Sequence, residues 1–252
     1  MIERELTDGI LTLRLVHGKA NAMDLELCEG LRGAIEDAAA SEDVRALILT
    51  GSGTIFSAGV DLPRLVDSGG DYVPRLVDAL DAMIRALFLF PKPAIGAING
   101  HAIAGGAILA FACDARVMST GRIGVAELQV GVPFPPMALE VVRFAVPHKH
   151  LHSMIYFSRT LDPDVAHAIG LVDEIVLPEG LLIRATEMAR RLANIAPEAF
   201  RMTKRQLREP SLRFAASIAS DSTDEIHRVW QAPETLDRIR GYVERTIKRR
   251  AE

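Results

Sequence analysis

The chain of 252 residues is poor in cysteine and in aromatic residues, with two cysteines, one tryptophan, three tyrosines and nine phenylalanines. Cys28 and Cys113 are far apart and too few for a disulfide framework, so we expect both to be reduced thiols buried as small apolar side chains. Reduced thiols are typical of a reducing compartment, and the expected location of the protein is therefore the cytoplasm.

The chain also lacks any long apolar run and any strong excess of one charge. No run approaches the roughly 18 residues that a membrane helix needs, and residues 1–5 contain no apolar signal core. The formal net charge is -4, with acidic and basic residues interspersed, so no broad cationic surface is available for nucleic acid. We expect neither a membrane nor a nucleic acid as a partner.

Hydrophobic residues are plentiful, at 49% of the chain, which is enough for a large buried core. Over the first hundred residues, apolar runs alternate with helical periodicity, and from Pro136 onward nearly every segment is predicted to be helical. This order is typical of an α/β core followed by a helical appendage. Strands are predicted at 10–16, 44–50, 94–98, 114–119 and 171–177. The predicted helices include 72–90, 105–113, 197–207, 212–230 and 235–250.

Two short segments of small residues carry the functional signal. One is Gly-Ser-Gly-Thr-Ile-Phe-Ser-Ala-Gly-Val-Asp-Leu at 51–62, and the other is Asn-Gly-His-Ala-Ile-Ala-Gly-Gly-Ala-Ile at 99–108. Each follows an apolar run and leads toward a helical pattern, which directs free backbone N–H groups at a ligand. The helix predicted to start at Ala104 and Gly105 adds the partial positive charge of its dipole. Two such donors aimed at one point would form an oxyanion hole.

Together with Ala-Ile-Gly-Leu-Val-Asp at 168–173, these segments resemble the motifs of the crotonase, or enoyl-CoA hydratase/isomerase, superfamily. The resemblance extends from about residue 10 to residue 242. It implies a crotonase-like spiral of repeated ββα units over residues 1–195 and a helical carboxyl-terminal trimerisation region over residues 196–252. It further implies a homotrimer or a dimer of trimers that binds an acyl-CoA substrate. Coenzyme A would enter as part of the thioester, so no separate cofactor is expected.

Carried over by position, the resemblance assigns the oxyanion donors to the amides of Ser57 and Gly105 and the catalytic base to Glu127. Such donors stabilise the enolate of a thioester, and losing one typically costs about 2.7 to 4 kcal/mol. Hydratases of this family have two glutamates, at the positions of Ile108 and Glu127 in this chain. One glutamate suits the removal of a proton at C2 and its return at C4, and the bulky apolar segment 131–137 is similar to that of mitochondrial-type isomerases. The expected activity is that of a 3,2-enoyl-CoA isomerase.

The same resemblance predicts the rest of the substrate site. Residues 57–62 would wrap the coenzyme A, and the terminal helix would cover the site of a neighbouring subunit with a basic face that includes Lys248, Arg249 and Arg250. The predicted substrate-binding residues are Lys19, Ala20, Ala22, Ala58, Gly59, Asp61, Leu62, His101, Ile103, Ala104, Ile108, Pro133, Phe134, Tyr242 and Arg245. The acyl chain length is expected to depend on Phe88, Phe90, Phe134 and Met137.

Several other interpretations stay open at this point. Hydration, thioester hydrolysis or decarboxylation would use the same coenzyme A site, and a non-catalytic acyl-CoA binder would show no turnover. Glu127 would then be an ordinary surface acid. The alternating histidines at 148, 150 and 152 lack a nearby cysteine or acidic ligand signal, so no metal site is expected. A dinucleotide fingerprint is disfavoured because Phe56 stands where its third glycine is required.

Overall fold

The computed structural model describes residues 1–246 in full and the backbone of residues 247–251. The predicted carboxyl-terminal region ends at Glu252, which lies outside the described residues, as do the side chains of Lys248, Arg249 and Arg250. None of the described helices is both long and apolar enough to cross a membrane.

The strands of the described residues form two sheets. The larger sheet is parallel except for its first pair, and the smaller sheet is parallel except for its last pair. The larger sheet has the order β1 (Ile2–Thr7), β2 (Ile10–Leu15), β3 (Ala46–Thr50), β5 (Ala94–Ile98), β7 (Ala115–Met118) and β10 (Glu174–Ile175). The smaller sheet has the order β4 (Ile55–Ser57), β6 (His101–Ile103), β8 (Ile123–Gly124) and β9 (Thr160–Leu161).

Helices cover both faces of the larger sheet and make up most of the last half of the chain. In order they are α1 (Leu25–Ala40), α2 (Leu62–Ser68), α3 (Tyr72–Phe88), α4 (Gly105–Ala112), α5 (Glu127–Val130), α6 (Pro136–Ala145), α7 (His148–Tyr156), α8 (Pro163–Ala168), α9 (Leu181–Ala193), α10 (Pro197–Gln231) and α11 (Pro233–Ala251). On one face of the sheet α9 packs its buried Leu181, Ala185 and Ala189 against β3 and β5. The main core lies on the other face and includes α1, α3 and α4.

The chain order of these elements is a spiral of ββα turns, which confirms the predicted fold class. In three successive turns one strand joins the larger sheet, the next joins the smaller sheet, and helices follow: β3, β4 and α2; β5, β6 and α4; β7, β8 and α5. Each turn therefore places the loop after its second strand at the same side of the molecule. The first of these loops contains the predicted 57–62 segment, and the second leads into the buried helix α4.

The largest difference from the sequence-based elements is α10, which is one helix of 35 residues that runs through Pro210. The sequence predicts two separate helices here, at 197–207 and 212–230. An internal proline removes a backbone donor and usually ends a helix. Here packing against α3 and α6 offsets that cost. The predicted strand at 171–177 is only two residues long, and its other residues form bends or irregular backbone.

A buried ion cluster attaches α10 to the spiral. The carboxylate of Asp114, in the turn after α4, accepts hydrogen bonds from Lys204 and Arg208 of α10, each at 2.7 Å, and from the amide of Ala94 at 2.8 Å. Both cationic side chains are more than nine-tenths buried, and burial lowers the pKa of Lys204 to about 8. The guanidinium carbon of Arg208 also lies 4.3 Å from the ring centre of Phe88. Both cations are largely shielded from water, so both depend on Asp114 for compensation.

We therefore expect Asp114→Ala to lower the free energy of unfolding by about 3 to 5 kcal/mol, since it leaves two buried cations without an anion. Urea unfolding measures this loss. Glu198→Ala is the control: Glu198 pairs with Arg201 on the exposed side of α10, so its loss should lower the free energy of unfolding far less than Asp114→Ala does. Equal effects of the two substitutions would contradict the anchoring role of Asp114.

Candidate active site

The two segments singled out in the sequence are in direct contact in the fold. A Cβ atom on Gly106 would lie only 2.2 Å from the carbonyl oxygen of Ser57, so α4 can approach β4 only with glycine at this position. Gly59 has a φ of +85°, and a Cβ there would lie 3.2 Å from the amide nitrogen of Gly105. The glycines therefore allow the turn after β4 to pack directly on the amino terminus of α4.

This contact leaves two main-chain donors free at one place. The turn after β4 is hydrogen-bonded to Met23 on both sides of Val60. The amide of Met23 donates to the carbonyl of Gly59 at 2.8 Å, and the amide of Asp61 donates to the carbonyl of Met23 at 3.0 Å. The amide of Val60, which lies between these two bonds, donates to no acceptor within the described residues. The amide of Gly105, in the first turn of α4, is likewise free among those residues. Val60 and Gly105 line the same cavity.

The predicted donor Ser57 is corrected by this geometry. Ser57 is fully buried, its hydroxyl donates to the carbonyl of Asn21 at 2.8 Å, and it does not line the cavity. The next amide, that of Ala58, is occupied by a hydrogen bond to the carbonyl of Ala20 at 3.0 Å. Because Gly59 turns the chain through the left-handed region, the first free amide belongs to Val60.

Ala104, which precedes α4, also has an uncommon backbone conformation. Its φ is +52°, a region that non-glycine residues seldom adopt, and no side chain caps the helix that follows. Its carbonyl accepts the first bond of the helix from Ile108 at 3.1 Å. Such local strain is retained where the surrounding structure fixes it, and here it directs the start of α4 at the cavity.

The cavity has a volume of about 650 Å³, which includes its open mouth, and its wall is largely apolar. Among the described residues that line it, Glu127 is the one carboxylic acid. The lining residues are Ala58, Val60, Leu62, Leu80, Ile84, Ile103, Ala104, Gly105, Ile108, Ala126, Glu127, Val130, Val132, Pro135, Ala138, Trp230 and Tyr242.

Glu127 is the first residue of α5 and is 7% exposed. Burial raises its pKa from 4.5 to about 7, although hydrogen bonds from its own amide and that of Ala126 partly oppose the shift. The Ala126 amide donates to Oε2 at 2.8 Å. A surface acid would show none of these features. A carboxyl group with a pKa near neutrality can both take up and return a proton.

Ile108 places an apolar side chain in the same cavity. It lies three residues after Gly105 on α4 and is 2% exposed. Asp81, a partly buried acid of α3, instead accepts a hydrogen bond from the amide of Met137 at 2.7 Å and does not line the cavity. The described residues therefore supply Glu127 with no second acid across the cavity.

The other predicted site residues fall into two groups. Those that line the cavity are Ala58, Leu62, Ile103, Ala104, Ile108 and Tyr242. Those that do not are Lys19, Ala20, Ala22, Gly59, Asp61, His101, Pro133, Phe134 and Arg245. Within the second group, Ala20 and Gly59 still shape the turn through backbone bonds, Asp61 caps α2, and Pro133 accepts a bond from Trp230. His101 and Arg245 are exposed.

The wall of the cavity contains residues that the sequence did not single out, among them Leu80, Ile84, Ala138 and Trp230. The first two lie one turn apart on the buried face of α3, where periodicity predicts only that they are core residues. Of the residues expected to fit the acyl chain, Phe88, Phe90, Phe134 and Met137 are buried but do not line the cavity. That expectation is corrected.

The terminal helix covers the cavity of its own chain. Tyr242 of α11 lines this cavity, and α11 packs against α2 and α5, where Gly131 allows the side chain of Arg238 to approach. The resemblance had implied a helix over a neighbouring subunit's site. In this chain α10 ends at Gln231, and the turn at Ala232 lets α11 fold back on the spiral of the same chain.

A network of charged groups fixes α2 beside the site. Asp24 caps α1 and also accepts hydrogen bonds from Arg64 at 2.7 Å and from His17 at 2.8 Å. Burial alone would raise the pKa of Asp24, but these partners and the amide of Leu27 hold it below its ordinary value. Arg64 belongs to α2, so the network holds Leu62 at the cavity. No group of three or more His, Cys, Asp or Glu side chains suited to a metal ion is found in the described part of the chain.

Comparisons with known proteins agree on one family. The family profile described as Enoyl-CoA hydratase/isomerase matches residues 5–246. A Thermus thermophilus protein with a provisional enoyl-CoA hydratase name is 35% identical over 193 residues, which cover 75% of this chain and 76% of that protein.

Solved structures share the fold. Human mitochondrial delta3-delta2-enoyl-CoA isomerase has a TM-score of 0.92 over 99% of this chain and 98% of that chain, at 21% identity. A probable enoyl-CoA hydratase, EchA3 of Mycobacterium tuberculosis H37Rv, has a TM-score of 0.80 over 87% and 95% of the two chains, at 30% identity. The same mycobacterial protein is also described, in its apo form, as an enoyl-CoA isomerase, with a TM-score of 0.79.

The buried state of Glu127 makes stability depend on pH. Its pKa is higher in the folded protein, about 7, than the ordinary value of 4.5, so its favourable contribution is complete below about pH 4.5 and is lost as the pH rises through about 7. We expect the free energy of unfolding, relative to Glu127→Gln, to fall by up to about 3 kcal/mol over that range. Urea unfolding of both proteins at several pH values measures this difference. A constant difference would contradict the burial of an ionisable Glu127.

Proposed function

Because the chain belongs to the enoyl-CoA hydratase/isomerase family, we propose that it is a 3,2-enoyl-CoA isomerase that uses Glu127 as its single acid–base group. The substrate would be an acyl-CoA thioester, with coenzyme A as part of the substrate rather than a separate cofactor. The observation that carries the proposal is the composition of the cavity, in which one raised-pKa carboxyl group faces apolar side chains and two free amides.

The proposed reaction begins with the thioester oxygen between the amides of Val60 and Gly105. The Glu127 carboxylate takes a proton from C2, the electrons of that C–H bond pass toward the carbonyl, and the amides stabilise the negative oxygen. The conjugated dienolate then takes the proton from Glu127 at C4 as the double bond forms between C2 and C3. One carboxyl group serves both steps because it is regenerated at the end.

Ile108 favours this reaction over hydration. Addition of water to a 2-enoyl-CoA needs a held water molecule and proton transfer at both carbons, which two carboxylates share well. The side chain of Ile108 can neither accept a hydrogen bond from such a water nor move a proton. An apolar wall also keeps water away from the dienolate.

Hydration is the second candidate, because the Thermus relative and EchA3 carry hydratase names. Those names do not separate the two reactions, since the mycobacterial protein is described both as a hydratase and as an isomerase. The distinction therefore depends on a direct assay of each substrate.

With purified protein we expect 3-enoyl-CoA to be converted to 2-enoyl-CoA, and 2-enoyl-CoA supplied alone to remain almost unhydrated. Glu127→Gln should lower kcat/KM for isomerisation by about 10² to 10⁴, the usual contribution of a positioned acid–base group. The wild-type rate should rise with pH through about 7 as Glu127 ionises. The control, Glu198→Gln, changes an exposed acid on α10 and should leave the rate unchanged. Efficient hydration without isomerisation, or full activity of Glu127→Gln, would overturn the proposal.

A second acid placed at position 108 should change the balance of reactions. We expect Ile108→Glu to raise the rate of 2-enoyl-CoA hydration at least about tenfold and to lower the rate of isomerisation. The gain is smaller than the full effect of a well-positioned acid–base group. Ile108→Gln has nearly the same shape but cannot transfer a proton, so it should show no gain in hydration. Product analysis by chromatography separates the hydroxyacyl-CoA from the isomer. An equal gain with glutamine would exclude proton transfer as the cause.

A further inference from the structure

The two ends of the cavity differ in their access to solvent. At the end formed by the turn after β4, Ala58 is exposed and Val60, Leu62 and Ala104 are partly exposed. At the other end, Leu80, Ile84, Ala138 and Trp230 are each at most 3% exposed. The cavity is therefore open beside the turn after β4, which would wrap the coenzyme A, and closed where an acyl tail would extend.

Trp230 is fixed at this closed end. It is the single tryptophan of the chain, it is 2% exposed, and its indole N–H donates to the carbonyl oxygen of Pro133 at 2.9 Å. That bond joins the last turn of α10 to the loop between α5 and α6. Since the indole is held by a hydrogen bond as well as by packing, it forms a rigid wall rather than a side chain that moves aside for a longer ligand.

Ala138 faces the same space from α6. It is fully buried and lines the cavity, with the smallest side chain at the closed end. A larger residue at 138 would extend into the cavity, and a smaller one at 230 would lengthen it. The small side chain of Ala138 and the large one of Trp230 therefore set the depth of the cavity. They lie on α6 and α10, which pack together.

We propose that Trp230 is the specificity-determining residue that ends the acyl-chain cavity, so that the enzyme takes acyl chains up to a sharp limit of length. This inference rests on the acyl-CoA substrate of the proposed function but not on which reaction follows. Chains that reach the indole fill the closed end. For each methylene beyond that limit, kcat/KM falls by about tenfold or more.

Because Trp230 is the single tryptophan, its fluorescence reports on the closed end directly. The purified wild-type protein is titrated with free coenzyme A and with saturated acyl-CoAs from acetyl to palmitoyl, at matched absorbance. We expect no change in emission with free or acetyl coenzyme A, and a change that begins at one chain length and persists for longer chains that bind. Calorimetry on the same samples shows which ligands bind. The inference is overturned if free coenzyme A changes the emission as much as long acyl-CoAs do. It is also overturned if the emission changes with none of the ligands that calorimetry shows to be bound.

Substitutions at the two positions should move the limit in opposite directions. Trp230→Leu should let longer chains react, while Ala138→Leu should shorten the longest chain accepted; kcat/KM across the 3-enoyl-CoA series measures both shifts. Trp230→Phe keeps a ring but loses the bond to Pro133, so its limit should lie between those of the wild type and Trp230→Leu. The matched control is Ala40→Leu, an identical change at an exposed position of α1, which should leave the limit unchanged. Unchanged limits in folded Ala138→Leu and Trp230→Phe overturn the inference.

The two proposals fail in different ways. If no substrate is isomerised but tryptophan emission still depends on acyl length, the proposed function is wrong and the inference stands. The opposite outcome is efficient isomerisation with a tryptophan emission that does not depend on acyl length and a length limit that substitutions at 138 and 230 leave unchanged. In that case the proposed function stands and the inference is wrong.

Discussion

The contact between the turn after β4 and the amino terminus of α4 is the constraint on which the site depends. A Cβ at Gly106 would overlap the Ser57 carbonyl, and one at Gly59 would crowd the amide of Gly105. Only this close approach brings two unpaired amides to one cavity. The donors are main-chain groups, so the fold rather than any side chain provides them, and they cost no reorganisation when negative charge develops.

Glu127 lies in a cavity that disfavours its charged form. An acid in an apolar cavity is destabilised in its charged form, and the bond from the Ala126 amide offsets only part of that cost. The pKa of Glu127 therefore lies near neutrality, and burial of its charged form costs stability that other parts of the molecule supply. The Asp114 cluster illustrates the alternative, since there the buried charges are compensated and the cluster serves to hold α10.

Much of this could be predicted from the sequence, and the failures have identifiable causes. Helices α1 and α3 follow from apolar periodicity, α4 follows from a segment that is small and apolar all round, and the places of Glu127 and Gly105 follow from the family resemblance. Strands such as β6 and β8, of three and two residues, are too short for an alternating pattern to be visible. The wrong oxyanion donor, Ser57, arose because a free amide has no signature of its own; that it belongs to Val60 depends on the bonds of Met23. Trp230 and Leu80 were missed because a side chain that borders a cavity has the same pattern as one in the core.

The position of α10 and α11 over their own chain has a consequence for synthesis. The spiral up to Ala193 holds the acid, both amides and most of the cavity wall, whereas Trp230 and Tyr242 come from the last two helices of the described chain. During translation the chemical groups therefore emerge from the ribosome well before the two residues that complete the wall around them. A product terminated before α10 would carry the acid and both amides in a cavity that lacks Trp230 and Tyr242, and the synthesis of α10 and α11 is the event that completes its wall.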